Sequence, residues 1–396
     1  MNEMRIGIIG NVDSGKSTLT GILTTDMLDN GKGLLRDKIS RYPHEINSGR
    51  TSSISQNLKK INENNYINFF DLAGHEKYFK TTMLGITGYY IDYTIITIAA
   101  NNGVTHMTKE HLLLSVTLQI PFIVIITKID IAPSNIYEQT KIEIIKYIKT
   151  ISKLKPFYIN DDTRSNIKFN ENYPVLSVSS KTGENIDILR KFIYNLKFRE
   201  SWKKKTNLEC LFKIDKFLNV KGVGPVIYGK LVKNNIYKNS QLNLGPIDGK
   251  WYKIIIKSFH NNFKSEVSHL NEGESGCIAI KIQTKKDIVK LDTIKTGVVL
   301  VKDIDIKSFY SFDAKIFIIS SNYTTISKNY QPTINCNKIV QVAKIVNVTP
   351  ETIRAGDRAI VNFKFLYRPE FIKKHDIFFI REGKTRGIGK IIKAYN

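Results

Sequence analysis

Gly10-Asn11-Val12-Asp13-Ser14-Gly15-Lys16-Ser17-Thr18 opens only ten residues into the chain and fits G-x-x-x-x-G-K-[ST]. Met4-Arg5-Ile6-Gly7-Ile8-Ile9 before it is mostly apolar and reads as a buried strand, and Thr18-Leu19-Thr20-Gly21-Ile22-Leu23 after it reads as the first turns of a helix. A strand–loop–helix unit of this kind curls backbone N–H groups around a polyphosphate, and the helix N-terminus adds positive potential. In that arrangement Lys16 reaches the β- and γ-phosphates and Ser17 ligates Mg²⁺.

Three further segments narrow the nucleotide. Asn68-Phe69-Phe70-Asp71-Leu72-Ala73-Gly74 reads as a strand ending in D-x-x-G, where Asp71 holds Mg²⁺ through water and the Gly74 amide senses the γ-phosphate. Pro121–Ile126 is a continuous apolar run, as in a parallel strand covered on both faces, and it delivers Thr127-Lys128-Ile129-Asp130. A carboxylate at Asp130 can accept from both N1–H and the 2-amino group of guanine, which adenine lacks. Val175–Val178 delivers Ser179-Ser180-Lys181, whose backbone N–H groups are placed to cap guanine O6. Taken singly, Asp130 could be a surface carboxylate and Asp71 a helix cap. Four segments in this order, three of them at strand ends, point to GTP and GDP.

On these residues the chain resembles the translational GTPases typified by elongation factor Tu. It is more closely similar to the group of GTP-binding proteins 1 and 2. Val12-Asp13 and His75 carry the first resemblance. Gly49-Arg50-Thr51-Ser52-Ser53, Asp71–Tyr78, Met107-Thr108-Lys109-Glu110-His111, Thr127-Lys128-Ile129-Asp130, Thr182-Gly183-Glu184-Asn185, Val223-Gly224-Pro225-Val226 and Arg381-Glu382-Gly383-Lys384-Thr385 carry the second. The resemblance implies GTP hydrolysis in translation, with the ribosome and tRNA as partners. His75 then becomes the catalytic residue that orients the attacking water, and Asp13 a P-loop aspartate that supports a monovalent cation. Two positions depart from the elongation factor Tu pattern. Arg50-Thr51-Ser52-Ser53 replaces R-G-I-T, which makes Ser53 the Mg²⁺-ligating hydroxyl, with Thr51 or Ser52 as alternatives. Ser52 also replaces an apolar residue that fences the histidine from water. Thr127 replaces Asn in the guanine-reading loop and leaves specificity to Asp130.

The 396 residues suffice for two or three domains. Residues 1–199 read as an α/β P-loop GTPase domain with a doubly wound, mostly parallel sheet, including helices over 136–154 and 186–196. Residues 26–55 show little periodicity and read as a switch loop, and 153–171 as an irregular surface loop. After a charged linker the texture becomes short strands with turn signals at Lys221-Gly222, Leu244-Gly245-Pro246, Asp248-Gly249 and Glu272-Gly273. That texture predicts two β-barrel domains, 206–302 and 303–396.

No apolar run is long enough to cross a membrane, and no signal peptide fits before so early a P-loop. Cys210, Cys277 and Cys336 lie far apart and make neither a disulfide framework nor a zinc site, which suits a reducing, cytoplasmic setting. A monomer is expected. The net charge of +24 fits an RNA partner. The abundance of Ile, Lys and Asn equally fits an AT-rich coding sequence that raises lysine without function. Three functions stay open at this point: a GTP-hydrolysing factor of the ribosome or tRNA, a GTP-gated scaffold on RNA with little turnover, and, against the closer motif matches, a GTPase subunit of a metabolic complex such as sulfate activation, which would bind no RNA.

Overall fold

The computed structural model describes residues 2–39, 54–161, 167–199, 208–283, 294–302, 306–320, 325–383 and 385–395. The chain divides into two compact units, Met1–Ser201 and Trp202–Asn396.

In the first unit seven strands form one sheet. They are β1 (Asn2–Gly10), β2 (Ser55–Lys60), β3 (Asn65–Asp71), β4 (Tyr93–Ala99), β5 (Phe122–Thr127), β6 (Lys155–Tyr158) and β7 (Asn172–Ser177). Their order is β2-β3-β1-β4-β5-β7-β6. Only β2 runs antiparallel, against β3. Every residue of β4 and β5 is buried. That two-sided burial is why these strands read as unbroken apolar runs rather than alternating ones.

Among the described residues the helices are α1 (Lys16–Thr25), α2 (Leu34–Ile39), α3 (Phe79–Gly88), α4 (His106–Thr117), α5 (Ser134–Ile151) and α6 (Ile186–Tyr194). In α5 the buried residues Thr140, Ile144 and Ile148 recur every fourth position, so one stripe faces the sheet.

A polar knot pins β1. Arg5 Nε lies 3.0 Å from Glu3 Oε1, with both side chains fully buried. Asn68 Nδ2 donates to the same carboxylate at 3.0 Å, and Arg5 Nη1 donates to the Tyr89 carbonyl at 2.7 Å. The knot fixes β1 against β3 and the entry to β4, so the loop that follows Gly10 starts from a rigid support.

Three expectations change. Residues 26–55 are not all loop: α2 forms there because Leu35 and Ile39, four apart, bury on one side. Residues 153–171 contain β6, a parallel edge strand on β7. Its residues are mostly exposed, so no apolar run announces it. Leu244-Gly245-Pro246 is not a turn but the middle of a strand, at a register irregularity. The turn comes at Asp248-Gly249, where both residues have positive φ (48° and 83°).

The second unit holds two barrels. The first uses β8 (Cys210–Val220), β9 (Gly224–Lys233), β11 (Gln241–Ile247), β12 (Lys250–Asn261), β15 (Ser275–Ile282) and β16 (Val299–Lys302). The order β11-β16-β8-β9-β15-β12 closes through β11–β12 pairing, with the short β13 (Glu266–Val267) added on β12. β10 (Ile236–Tyr237) and β14 (His269–Leu270) pair separately.

The second barrel is β17-β20-β19-β18-β21-β22. Its strands are β17 (Ser311–Ser320), β18 (Thr333–Cys336), β19 (Ile339–Thr349), β20 (Arg358–Phe365), β21 (Ile377–Glu382) and β22 (Thr385–Tyr395). Strict alternation in β20 sends Ala359, Val361, Phe363 and Phe365 inward, where Phe312 meets Phe363, Phe365 and Phe378 at ring-centroid distances of 5.2–5.4 Å. Closure leaves neither barrel a long unpaired edge. The barrels join through a buried pair, Lys338 Nζ to Asp215 Oδ1 at 3.2 Å. Trp251 also meets Phe371 edge to face, with centroids 5.7 Å apart. Beside this joint burial pushes the Glu370 carboxyl up to about 7, against the pull of Arg368 and Gln341.

Candidate functional site: a nucleotide cleft

β1, β3, β4 and β5 are parallel neighbours, and each ends at the same edge of the sheet. The loops leaving that edge converge, as ligand loops do in open α/β sheets. β1 ends in Gly10, where an added Cβ would strike the Thr97 backbone and Ser14 Oγ, so no larger residue fits the turn. Ser14 Oγ then locks the loop, 2.8 Å from the Asn11 carbonyl and 2.7 Å from Thr97 Oγ1 on β4. Gly15, at φ 83°, leads into α1.

Lys16 Nζ donates to the Asn11 carbonyl at 2.6 Å, which folds the side chain back over the loop. Burial lowers the Lys16 pKa from its ordinary value, and the charges of Asp71 and Asp13 work against that shift. An ammonium so placed is desolvated and has anions to gain. A phosphate group is the ligand that relieves it.

At the end of β3, Ser17 Oγ donates to Asp71 Oδ2 at 2.6 Å. This hydroxyl–carboxylate pair at the start of α1 suits Mg²⁺, which takes few protein ligands and keeps water and phosphate oxygens for the rest. Ser53, the third expected ligand, lies outside the described residues, as do Arg50, Thr51 and Ser52. Gly74 presses on the P-loop, and a Cβ there would run into Lys16 Nζ and the Gly10 carbonyl. His75 follows on the cleft wall. Its Nδ1 accepts from Lys77 N at 3.1 Å and caps a short 3-10 turn, Glu76–Tyr78.

The base end is built by β5 and β7. Asp130 lines the cleft, and its Oδ1 accepts from Ser179 Oγ at 2.8 Å. Ser179 is fully buried. Its side chain therefore aims Asp130, while Ser180 and Lys181 face the cleft. Lys128 takes a left-handed backbone (φ 60°), which turns the loop sharply after Thr127. Thr127 Oγ1 donates to the Ser14 carbonyl at 2.8 Å, tying the base loop to the phosphate loop. Thr127→Val keeps the shape and loses that bond. Its thermal unfolding should show a loss of about 0.5–1.5 kcal/mol, with weaker GDP binding. Unchanged GDP affinity would mean that the tie does not hold the site.

The cleft encloses ≈ 600 Å³ and is lined by Val12, Asp13, Gly15–Thr18, Gly74, His75, Thr127, Lys128, Asp130, Ser180 and Lys181. Of the expected residues, Gly10, Asn11, Ser14, Asp71 and Ser179 stand behind the wall and hold it.

A second wall was not expected from the sequence: Asp29–Gly33, Arg36 and Ile131. Asp29 N donates to the Ser180 carbonyl at 3.1 Å, and its carboxylate accepts from Gly31 N and Leu35 N at 2.9 and 3.1 Å. The glycine-spaced Asn30-Gly31-Lys32-Gly33, between α1 and α2, is the signal that could have found it. His111 is also buried nearby. Burial, followed by the charge of Lys16, drives its pKa down to about 3, so the ring is neutral.

Residues 1–215 match the family of the elongation factor Tu GTP-binding domain. The chain is 36% identical to GTP-binding protein 1 of Xenopus laevis across 99% of its own length. It is 31% identical to GTP-binding protein 2 of Homo sapiens across 98%. It spans 63% of the first relative's length and 69% of the second's.

Among solved structures, the bacterial selenocysteine-specific elongation factor EF-Sec superposes with TM-score 0.73 at 19% identity, over 99% of this chain and 58% of that one. SelB of Methanococcus maripaludis with the GTP analogue GPPNHP gives 0.72 at 21%, over 100% and 80%. The S. cerevisiae Ski7 GTPase-like domain bound to GTP gives 0.78 at 13%, over 98% and 97%. These likenesses show a shared fold. No described helix is long and apolar enough to cross a membrane. With its P-loop, D-x-x-G and T-K-I-D segments gathered at one cleft, the chain belongs to the elongation factor Tu family of GTP-binding proteins.

Proposed function

We propose that this chain binds GTP, hydrolyses it to GDP and phosphate when a ribosome engages it, and uses that cycle to act in translation on tRNA or the ribosome. The observation that carries the reading is the convergence of Lys16, the Ser17–Asp71 pair, His75 and Asp130 on one cleft. The P-loop backbone from Asn11 to Thr18 binds and orients the phosphates. Lys16 offsets their charge. Ser17 and Asp71 would hold Mg²⁺, which when bound would supply the remaining neutralisation that a loose phosphoryl-transfer transition state requires. His75 orients the attacking water, Gly74 N–H senses the terminal phosphate, and Ser53 completes the metal site. Asp130, aimed by Ser179, reads guanine, and the Ser180 and Lys181 amides cap its O6.

In this reading residues 1–199 run the nucleotide cycle, and the barrels 206–302 and 303–396 meet RNA. In this reading the working form is a monomer, and the free cysteines Cys210, Cys277 and Cys336 suit a reducing, cytoplasmic setting. The relatives named as GTP-binding proteins, and structural neighbours that are elongation factors, support the direction. Single-turnover GTP cleavage with and without ribosomes, and with aminoacyl-tRNA added, tests it. Stimulation supports the translational role. Tight GTP binding with no stimulation replaces it with a GTP-gated RNA scaffold.

A further inference from the structure

We propose that the outer face of the second barrel, across β20, β17 and β22, is a docking surface for single-stranded RNA. The proposal deepens the RNA-facing part of the function above and rests on it. Alternation along the strands turns Lys315 and Phe317 outward from β17. In the register of the sheet Lys315 stands directly opposite Lys390 of β22 on one side and Ile360 of β20 on the other. The next row sets Phe317 between Arg358 and Ile388, with the Arg358 guanidinium 6.0 Å from the centre of the Phe317 ring. On the far side of β20, Lys344 of β19 stands directly opposite Lys364.

Two cross-strand pairs on one face are thus lysine against lysine. Like charges directly opposed in a sheet destabilise it. Among the described residues no carboxylate pairs with any of these four lysines. Asp313, the carboxylate in the row between the two pairs, is taken by Asn362 Nδ2 at 2.7 Å and by Tyr395 Oη. The repulsion is relieved when a polyanion lies across the face. From Lys364 to Arg358 the cations extend about 20 Å along the strand, room for several phosphates.

The apolar groups choose among polyanions. Phe317 and Ile360 are 36% and 50% exposed, and with Ile377 and Lys390 they line a groove of ≈ 550 Å³. A duplex turns its phosphates outward and offers Phe317 no ring. A single strand offers unpaired bases, which stack on an aromatic side chain beside cations that track its backbone. A coding bias toward lysine would scatter charge over the whole surface. It gives no reason for one opposed lysine pair to sit in the row beside an exposed phenyl ring and a second to stand further along the same face.

The test uses the full chain and a fluorescein-labelled oligouridylate of about twelve nucleotides, a length within known single-strand site sizes, read by polarisation. The double variant Lys315→Glu with Lys390→Glu should weaken binding at least about tenfold and reduce the slope of log affinity against log salt by about one to two. Phe317→Ala should weaken it about fivefold or more and leave the slope in place. A charge-matched control, Lys146→Glu with Lys149→Glu on exposed positions of α5, should change it less than about twofold, since only net charge differs. GDP affinity and the far-UV circular dichroism spectrum should be unchanged in every variant, the first reporting the nucleotide unit and the second the β-barrels.

Equal losses in the two double variants would reduce the effect to net charge and overturn the proposal. So would competition by polyglutamate as effective as by RNA, which would make the face a surface for acidic protein. Ribosome-stimulated GTP cleavage on the same proteins separates the two readings. RNA binding that depends on Lys315 and Lys390, without stimulation, overturns the translational function and leaves this face standing. Stimulation without RNA binding does the reverse.

Discussion

His75→Ala lowers ribosome-stimulated GTP cleavage by at least about 10²-fold, the lower range for a positioned catalytic group, and leaves GTP and GDP affinities nearly unchanged. Under the proposed function the geometry leaves one ring nitrogen for that role. Nδ1 is engaged with Lys77 N, capping the turn, so Nε2 is the nitrogen left to orient water. Basal cleavage changes less, because that orientation depends on the partner. Alanine also removes the cap, so His75→Asn is the control: asparagine is among the best N-cap residues and keeps the turn, yet cannot replace Nε2. Both variants should lose stimulated turnover in a single-turnover assay. If His75→Asn cleaves as fast as wild type with ribosomes, the histidine is a cap and the scaffold reading gains.

Asp130→Asn weakens GTP by about 1.5–3 kcal/mol, the scale of a hydrogen bond to a charged group, or about 10–150-fold. It gains affinity for xanthosine triphosphate, because xanthine presents an acceptor where guanine presents its 2-amino donor. The Ser179 hydroxyl that now donates to Asp130 Oδ1 at 2.8 Å can donate equally to an asparagine oxygen, so the loop stays in place and base preference alone changes. Fluorescence titration with both nucleotides reads the switch. Unchanged GTP affinity removes Asp130 from base recognition.

The positions of these two residues were legible in the sequence because each follows within a few residues of the end of a buried parallel strand. Hydrophobic runs locate such ends well, and the chemistry rides on the next few residues. What escaped shares a different physics. β6 lies at a sheet edge with mostly exposed side chains, so burial writes no pattern there. α2 is six residues long, and its two buried positions make less than two turns of periodicity. The wall from Asp29 to Gly33 is held by side-chain-to-backbone bonds of one aspartate, which leave no period at all. Ser179 was read as a ligand through its amide. Only the fold shows that its hydroxyl is spent on Asp130, since the two are 49 positions apart in sequence and adjacent in space. The Gly245-Pro246 pair read as a turn because composition cannot tell a strand irregularity from a reversal.

The gathering of every nucleotide loop at one end of the sheet also divides the first unit into a chemical end and a silent one. The reversal at Asn62-Glu63-Asn64 between β2 and β3 belongs to the silent end, and all three residues are exposed. Polar, solvent-facing tips of this kind accept inserted or attached groups with little penalty. A dye or an affinity handle placed at Glu63 would therefore follow the protein through an assay without entering the chemistry. The same handle on the helix-side loops after β1, β3 or β5 would sit in the cleft itself.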